Sequence, residues 1–309
     1  MTLPASLQGR LSLPLIGSPM FIISQPELVI AQCRAGIVGA FPSLNARPSG
    51  TFEAWLQQLG AELTDQDAPF AVNLIVHRTN ARLEEDLALC VKYKVPIVIT
   101  SLGAQEKVNE AIHSYGGIVL HDVINNVFAR KAIEKGADGL IAVAAGAGGH
   151  AGTLSPFALI QEIRAWFDGP LALSGAIATG RSIAAARMMG ADLGYMGTPF
   201  IATAEANAVD AYKQMIVDSS AGDIVYSDVF TGVLGNYLRP SIIASGMDPD
   251  KLPKAADMDF ESLAGDKKAW RDVWGAGQGI GAIKAVQPAG DFIAQLKAEY
   301  QAAVAGFVA

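Results

Sequence analysis

The feature that most constrains the fold of this chain is the alternation of short apolar segments with longer segments of helical periodicity, from residue 12 to about residue 205. The short segments are continuously apolar, without the polar alternation of strands that have one face in water. This alternation is typical of βα units repeated around a parallel sheet. The predicted strands are residues 13–16, 35–40, 70–74, 96–100, 117–120, 139–143, 171–174 and 193–196.

Eight strands favour a closed (β/α)8 barrel, a TIM barrel, over an open doubly wound sheet. Amphipathic segments long enough for two to three helical turns separate the strands. In such a barrel the functional residues lie at the carboxyl ends of the strands, so chemistry is expected there. The predicted helices are residues 25–34, 52–59, 83–93, 105–114, 127–134, 156–166 and 182–189.

The alternation stops after the eighth strand. Residues 204–218 are predicted to be helical, and residues 291–304 form a closing helix. The Gly- and Pro-punctuated stretch between them is too long for an ordinary connection. We therefore predict an α/β barrel of residues 1–220 with 285–309, and an insertion of mixed helices and loops, residues 221–284, packed on the barrel mouth. This insertion would act as a partial lid or as an oligomer contact, and in the second case the protein would be a homodimer. The charged cluster within the insertion, 248–259, is interpreted as solvated surface.

Composition argues for a small-molecule protein. The net charge of −7 leaves no basic excess for nucleic acid or an anionic membrane. No stretch has the length of a membrane span, and the amino terminus lacks the continuous apolar region of a signal peptide. Cys33 and Cys90 lack the spacing of a zinc site or a disulfide framework, so buried thiols in a reducing cytoplasm are expected.

Two glycine-containing turns follow the seventh and eighth predicted strands. In a (β/α)8 barrel these turns bind phosphate, because glycine lets backbone N–H groups approach the anion and a helix begins directly afterwards. Ordinary tight turns are the alternative, although two such turns at the right strands make it weaker. The predicted phosphate-binding residues are Gly175, Ala176, Gly197 and Thr198, and Ser174, directly before the first turn, is a further predicted cofactor-binding residue.

His150 lies in the loop Gly-Ala-Gly-Gly-His-Ala-Gly, residues 146–152, directly after the sixth strand. The side chains around it are too small to form a packed core, which argues against a structural histidine. Gly148 and Gly149 would let backbone approach a flat ligand, while an imidazole with a pKa of about 6.5 suits a general base. No other metal ligand sits at a suitable spacing nearby, so no metal is expected.

Four further sites are candidates for lining the mouth. Asn73 places an amide, which can donate and accept hydrogen bonds, at the end of a strand, although it is equally typical of a turn. Met20, after Pro19, could set a soft side chain against a ring or simply pack in the core. His121 ends the fifth strand. Gln278 lies in a glycine run, 274–281, that could close over a ligand or serve as a flexible hinge.

Segments 14–20, 70–74, 148–152, 174–176, 196–198 and 274–281 together resemble the nitronate monooxygenase family, formerly called 2-nitropropane dioxygenases. The resemblance runs from about residue 10 to 285, and its most specific element is the Gly-Gly-His-x-Gly loop followed in order by the two later turns. It implies a barrel that binds FMN non-covalently, with His150 as the base, Asn73 against the isoalloxazine and the two turns on the phosphate.

The resemblance also implies an activity. The family oxidises alkyl nitronates with O2 to a carbonyl compound and nitrite, and His150 would remove the proton α to the nitro group of a neutral nitroalkane. The chain departs from the family where Asp122 replaces a lysine and where Val143 and Ala144 replace an acidic residue. The alternative is an NAD(P)H-dependent flavin reductase of quinones or enoyl thioesters, which uses a similar histidine loop. A third possibility is a catalytically silent barrel that binds a phosphate ligand.

Overall fold

Eight parallel strands form a barrel, which confirms the predicted TIM-barrel fold. The computed structural model describes residues 7–252 and 273–308. The barrel strands are β1 (Leu15–Gly17), β2 (Ala40–Pro42), β3 (Ala71–Ile75), β4 (Ile97–Ser101), β5 (Ile118–Val123), β6 (Gly139–Val143), β8 (Leu171–Ser174) and β9 (Leu193–Met196). The sheet runs β1-β9-β8-β6-β5-β4-β3-β2, and a parallel bridge between Ile16 and Val38 joins its two ends.

The seven helices predicted between the strands all form, with ends that differ from the prediction by three residues at most. Local signals fix several starts: the Asn125 side chain accepts from the Phe128 N–H, and Thr179 and Ser182 form a capping box. The helices are α1 (Pro26–Arg34), α2 (Thr51–Glu62), α3 (Leu83–Lys92), α4 (Glu106–His113), α5 (Asn126–Glu134), α6 (Pro156–Arg164), α7 (Gly180–Met188), α8 (Thr198–Ile201), α9 (Asp210–Asp218), α10 (Arg239–Ala244) and α11 (Ala289–Val308).

The barrel is filled by aliphatic side chains, as expected for strands that are buried on both faces. Between the strands and the helices lie two further apolar clusters, which include both buried cysteines. The interior cluster includes Ile16, Val38, Ala71, Ile97, Ile99, Ile118, Leu120, Ile141, Ala172 and Leu193.

Two predicted boundaries are wrong. The predicted second strand, 35–40, begins too early, because Ala35 caps α1 and Gly36 has a φ of +87°; the strand starts at Ala40. The predicted helix 204–218 starts only at Asp210. The residues before it instead cross to the loop after β1, where the Asn207 N–H donates to the Ile23 carbonyl oxygen.

The segment after the barrel strands contains strands as well as the predicted helices and loops. The strand β10 (Ile224–Ser227) pairs antiparallel with β11 (Gly235–Leu238), which in turn pairs with β7 (Gly149–His150) in the loop after β6. The first half of the predicted charged surface is exposed, as at Asp248 and Asp250. Its remaining charged residues, Lys254, Asp257 and Asp259, lie outside the described residues.

Gly180 makes the barrel sensitive to one added methyl group. A Cβ at this position would lie closer than any real Cβ contact to atoms of Leu296, Glu299 and Tyr300 in α11. We expect Gly180→Ala to lower the free energy of unfolding by about 1–3 kcal/mol, because α7 and α11 must separate. Chemical denaturation monitored by circular dichroism measures the change.

The matched control is Gly60→Ala in α2. No atom lies within 4 Å of an added Cβ there, so the substitution should stabilise the protein by about 0.4–1 kcal/mol. Equal stability of the two variants would contradict the close approach of α7 to α11.

Candidate active site

A cavity of about 760 Å³ opens at the carboxyl ends of the barrel strands. Its size falls within the range of small-molecule and cofactor sites. The structure brings nearly all the predicted site residues into its lining; Gln278 is the exception. The lining includes Pro19, Met20, Asn73, His121, Gly148, Gly149, His150, Ser174, Gly175, Ala176, Gly197 and Thr198.

His150 is held as an edge residue of the small antiparallel sheet. It lies opposite Gly235, while Gly149 lies opposite Asn236. Its Nε2 atom lies 3.0 Å from Thr231 Oγ1, which fixes the orientation of the ring. Burial lowers the pKa of His150 to about 4, because the charged imidazolium loses its hydration. The imidazole is therefore neutral near pH 7 and able to accept a proton.

The histidine loop is clamped from two sides by hydrogen bonds to its backbone carbonyl groups. Asn236 Nδ2 donates to the Ala147 carbonyl oxygen over 2.6 Å. From the other side, the Gln278 N–H donates to the Gly146 carbonyl oxygen, and the adjacent Gly277 N–H donates to Thr198 Oγ1 at the start of α8. Gln278 therefore supports the histidine loop through its backbone N–H group. The residue is exposed and is not part of the cavity lining. Its predicted role over a ligand has no geometric support.

The two turns that the sequence predicts to bind phosphate differ in the backbone groups that they offer a ligand. Gly175 has a φ of +131°, and a Cβ there would lie 2.7 Å from the Ala145 carbonyl oxygen, so the turn depends on glycine. The Ala176 N–H donates to the Gly146 carbonyl oxygen over 3.2 Å and is not available to an anion. Ala176 lines the cavity with its other atoms. Thr198 is the first residue of α8 and follows Gly197 at the end of β9.

Asn73 presents an acceptor to the cavity. Its Nδ2 atom donates to the Ile99 carbonyl oxygen over 3.0 Å and to Ser101 Oγ over 2.8 Å. Both amide protons are thus used within the protein, and the amide oxygen is the group left for a ligand donor. Ser101 Oγ then donates to Asp122 Oδ2 over 2.6 Å.

His121 is held in a different way from His150. Its Nδ1 atom lies 2.6 Å from Thr100 Oγ1, and the residue is buried beside the cavity. Burial lowers the pKa of His121 to about 4. Met20 lies on the opposite wall, where its N–H donates to Ser24 Oγ and its sulfur faces Gly197.

Sequence reasoning missed much of the lining. Ser101, Asp122 and Tyr195 were not predicted to line it, although each ends a barrel strand or lies one residue before its end, a position that could have indicated them. The aromatic pair Trp274 and Tyr212 could not be predicted, because the two residues come from distant segments of the sequence. In the structure their rings stack with centroids 4.7 Å apart. Further apolar lining residues are Phe21, Ile22, Leu44, Leu102, Ile124, Phe128 and Val233.

A second, more open depression of about 860 Å³ lies beside the residues that precede β1 and β2, and contains none of the predicted site residues. Enzymes with this fold bind substrate at the other end of the barrel, which favours the first cavity.

Within residues 7–252 and 273–308, no cluster of three or more His, Cys, Asp or Glu side chains could hold a metal ion. In the same described ranges, no helix combines the length and the apolar character that a membrane crossing requires.

Comparison with known proteins gives consistent matches. A nitronate monooxygenase of Paraburkholderia phytofirmans is 25% identical, with 94% of this chain and 93% of the relative covered. A 5-hydroxy-7a-methyl-1-oxo-octahydro-1H-indene-4-carboxyl-CoA dehydrogenase of Rhodococcus jostii is also 25% identical, over 75% of this chain and 64% of the relative. The structure of a FabK variant from Thermotoga maritima superposes with a TM-score of 0.82 at 26% identity, with 99% of both chains covered.

The family profile described as nitronate monooxygenase matches residues 78–299, more than two thirds of the chain. The match includes the histidine loop, both predicted phosphate turns and the sheet of β7, β10 and β11 that contains His150. The chain belongs to the nitronate monooxygenase family.

Proposed function

We propose that this protein uses FMN to oxidise alkyl nitronates, and also neutral nitroalkanes, with O2 to a carbonyl compound and nitrite. The observation that carries the proposal is His150: a neutral imidazole, oriented by Thr231, in the lining of the cavity at the barrel mouth. Family membership and the similarity to a nitronate monooxygenase along nearly the whole chain support the same activity.

The residues of the cavity fit FMN. The turns at Gly175 and at Gly197 offer backbone close to the cavity, and Gly175 leaves no room for a side chain. Such turns suit a phosphate. The Asn73 amide oxygen is available to a ring N–H, and the apolar walls suit the faces of a planar ring system. When bound, FMN would supply the electron acceptor of the reaction.

His150 would act as the general base toward a neutral nitroalkane. The imidazole accepts the proton from the carbon atom α to the nitro group, and the nitroalkane becomes a nitronate. Because burial lowers the pKa of His150 to about 4, the base form is fully populated near neutral pH. A preformed nitronate has already lost this proton, so it needs no base. The described parts of the predicted insertion, residues 221–252 and 273–284, would cover the mouth and exclude bulk water from the reaction.

The second candidate function is an NAD(P)H-dependent flavin reductase that acts on a quinone or an enoyl thioester. Two observations support this function. The structural similarity to FabK fits it, and the relative from Rhodococcus jostii is a dehydrogenase of a carboxyl-CoA compound. The two candidates differ in the source of the electrons that reach the flavin.

Anaerobic stopped-flow absorbance distinguishes the two functions. The purified protein is mixed with an alkyl nitronate, and separately with NADH or NADPH. We expect fast loss of the oxidised flavin spectrum with the nitronate and no comparable change with either nicotinamide. The opposite result would identify a reductase, and no change with either reagent would leave only a silent binding protein.

The base role of His150 predicts different losses for two substrates. We expect His150→Asn to reduce turnover of neutral nitroalkane by about 10²- to 10⁴-fold, the usual contribution of a general base, and to affect preformed nitronate much less. Steady-state oxygen consumption with each substrate measures both effects. Equal losses for nitroalkane and nitronate would contradict the base role.

His113→Asn is the matched control for this experiment. His113 is exposed on α4, pairs with Asp138 and lies outside the cavity lining. We expect its replacement to leave turnover of both substrates close to that of the wild type.

A further inference from the structure

The top layer of the barrel interior is polar where such barrels are usually filled with branched apolar residues. Side chains alternate along a strand, so a residue two positions after an interior residue also points inward. Asn73, Ser101, Asp122 and Ser174 each stand two residues after a member of the apolar interior cluster. All four line the cavity, and together they form its floor.

The hydrogen bonds across this floor have a fixed direction. Asn73 Nδ2 donates to Ser101 Oγ over 2.8 Å, so the Ser101 hydroxyl is an acceptor on that side. Its single proton is donated to Asp122 Oδ2 over 2.6 Å. With Ser101 donating to Oδ2, a proton carried by the Asp122 carboxyl is placed on Oδ1.

The surroundings of Asp122 favour its neutral form. Its register partner on β6 is the apolar interior residue Ile141, Ser101 on β4 donates a hydrogen bond to it, and Tyr195 on β9 lies within electrostatic range. In the described ranges, no cation forms an ion pair with it. Burial raises the pKa of Asp122 to about 6, against the opposing hydrogen bond from Ser101.

Four other titratable groups that line this cavity, His121, His150, Tyr195 and Tyr212, keep their charge state near neutral pH. Burial lowers the pKa of His121 and of His150 to about 4 and raises the pKa of Tyr195 and of Tyr212. Lys131, the remaining member of the lining, is exposed on α5. A charge change on the cavity floor between about pH 5 and pH 8 therefore belongs to Asp122.

We propose that Asp122 is a proton-exchanging residue of the cofactor site, which donates a hydrogen bond from Oδ1 to the ring of the bound flavin when protonated and opposes negative charge on that ring when ionised. This inference rests on the FMN of the proposed function. A reduced flavin ring carries more negative charge than an oxidised one. Ionised Asp122 consequently makes the flavin harder to reduce, and the reduction potential falls as the pH rises through the titration of Asp122.

The test is a pH titration of the absorbance spectrum of the flavin-loaded protein, from about pH 5 to pH 8. We expect a spectral transition with a midpoint near the Asp122 pKa of about 6. Asp122→Asn should abolish it, since an amide does not titrate. Ser101→Ala should move it to higher pH, because the ionised carboxylate loses the hydrogen bond that stabilises it. Asp168→Asn, a change of an exposed carboxylate outside the cavity, should leave it unchanged.

Infrared difference spectra provide a readout that does not depend on the flavin. In protein freed of flavin, lowering the pH through about 6 should produce the carbonyl band of a protonated carboxylic acid, and the band should be absent in Asp122→Asn. A wild-type flavin spectrum that does not change with pH, or a transition that persists in Asp122→Asn, would overturn the proposal. Protein that never retains flavin would count against the proposed cofactor, while the infrared band would still decide whether Asp122 exchanges the proton.

Discussion

The mouth of this barrel depends on the close approach of three backbone segments that leave no room for side chains. A Cβ at Gly148 would lie 2.8 Å from the Gly277 nitrogen, and one at Gly279 would lie 2.8 Å from the Ala176 carbonyl oxygen. Backbone hydrogen bonds then connect the histidine loop to the glycine run and to the turn after β8. These contacts replace side-chain packing, and they keep the cavity open above the apolar interior.

Desolvation at this mouth lowers the pKa of a cationic acid and raises the pKa of a neutral acid. It lowers the pKa of His150 to about 4 and raises that of Asp122 to about 6. An unperturbed pair would be ordered the other way, with the carboxyl about two to three units below the imidazole. One physical cause thus keeps the histidine in its neutral form and allows the aspartate to hold a proton near neutral pH.

The fold could be predicted from the sequence because strands buried on both faces are continuously apolar, and the eight segments could be counted. The histidine loop was equally visible, since small residues around one imidazole are distinctive. The pairing of β7 with β11 could not be predicted, because residues 149–150 and 235–236 are far apart in the sequence. In addition, the three-strand sheet has short strands with weak alternation of polar and apolar residues. The prediction of Gln278 rests on a weaker signal, because a glycine run indicates close backbone approach but not which side chain turns inward.

The pairing of His150 with Gly235 has a consequence for how the molecule is made. All eight barrel strands are complete by residue 196, but the strand that seats the histidine is synthesised about 40 residues later. A nascent chain could therefore close its barrel while the histidine loop still lacks one of its two clamps. The histidine is thus seated only after the ribosome has synthesised residues that follow the last barrel strand.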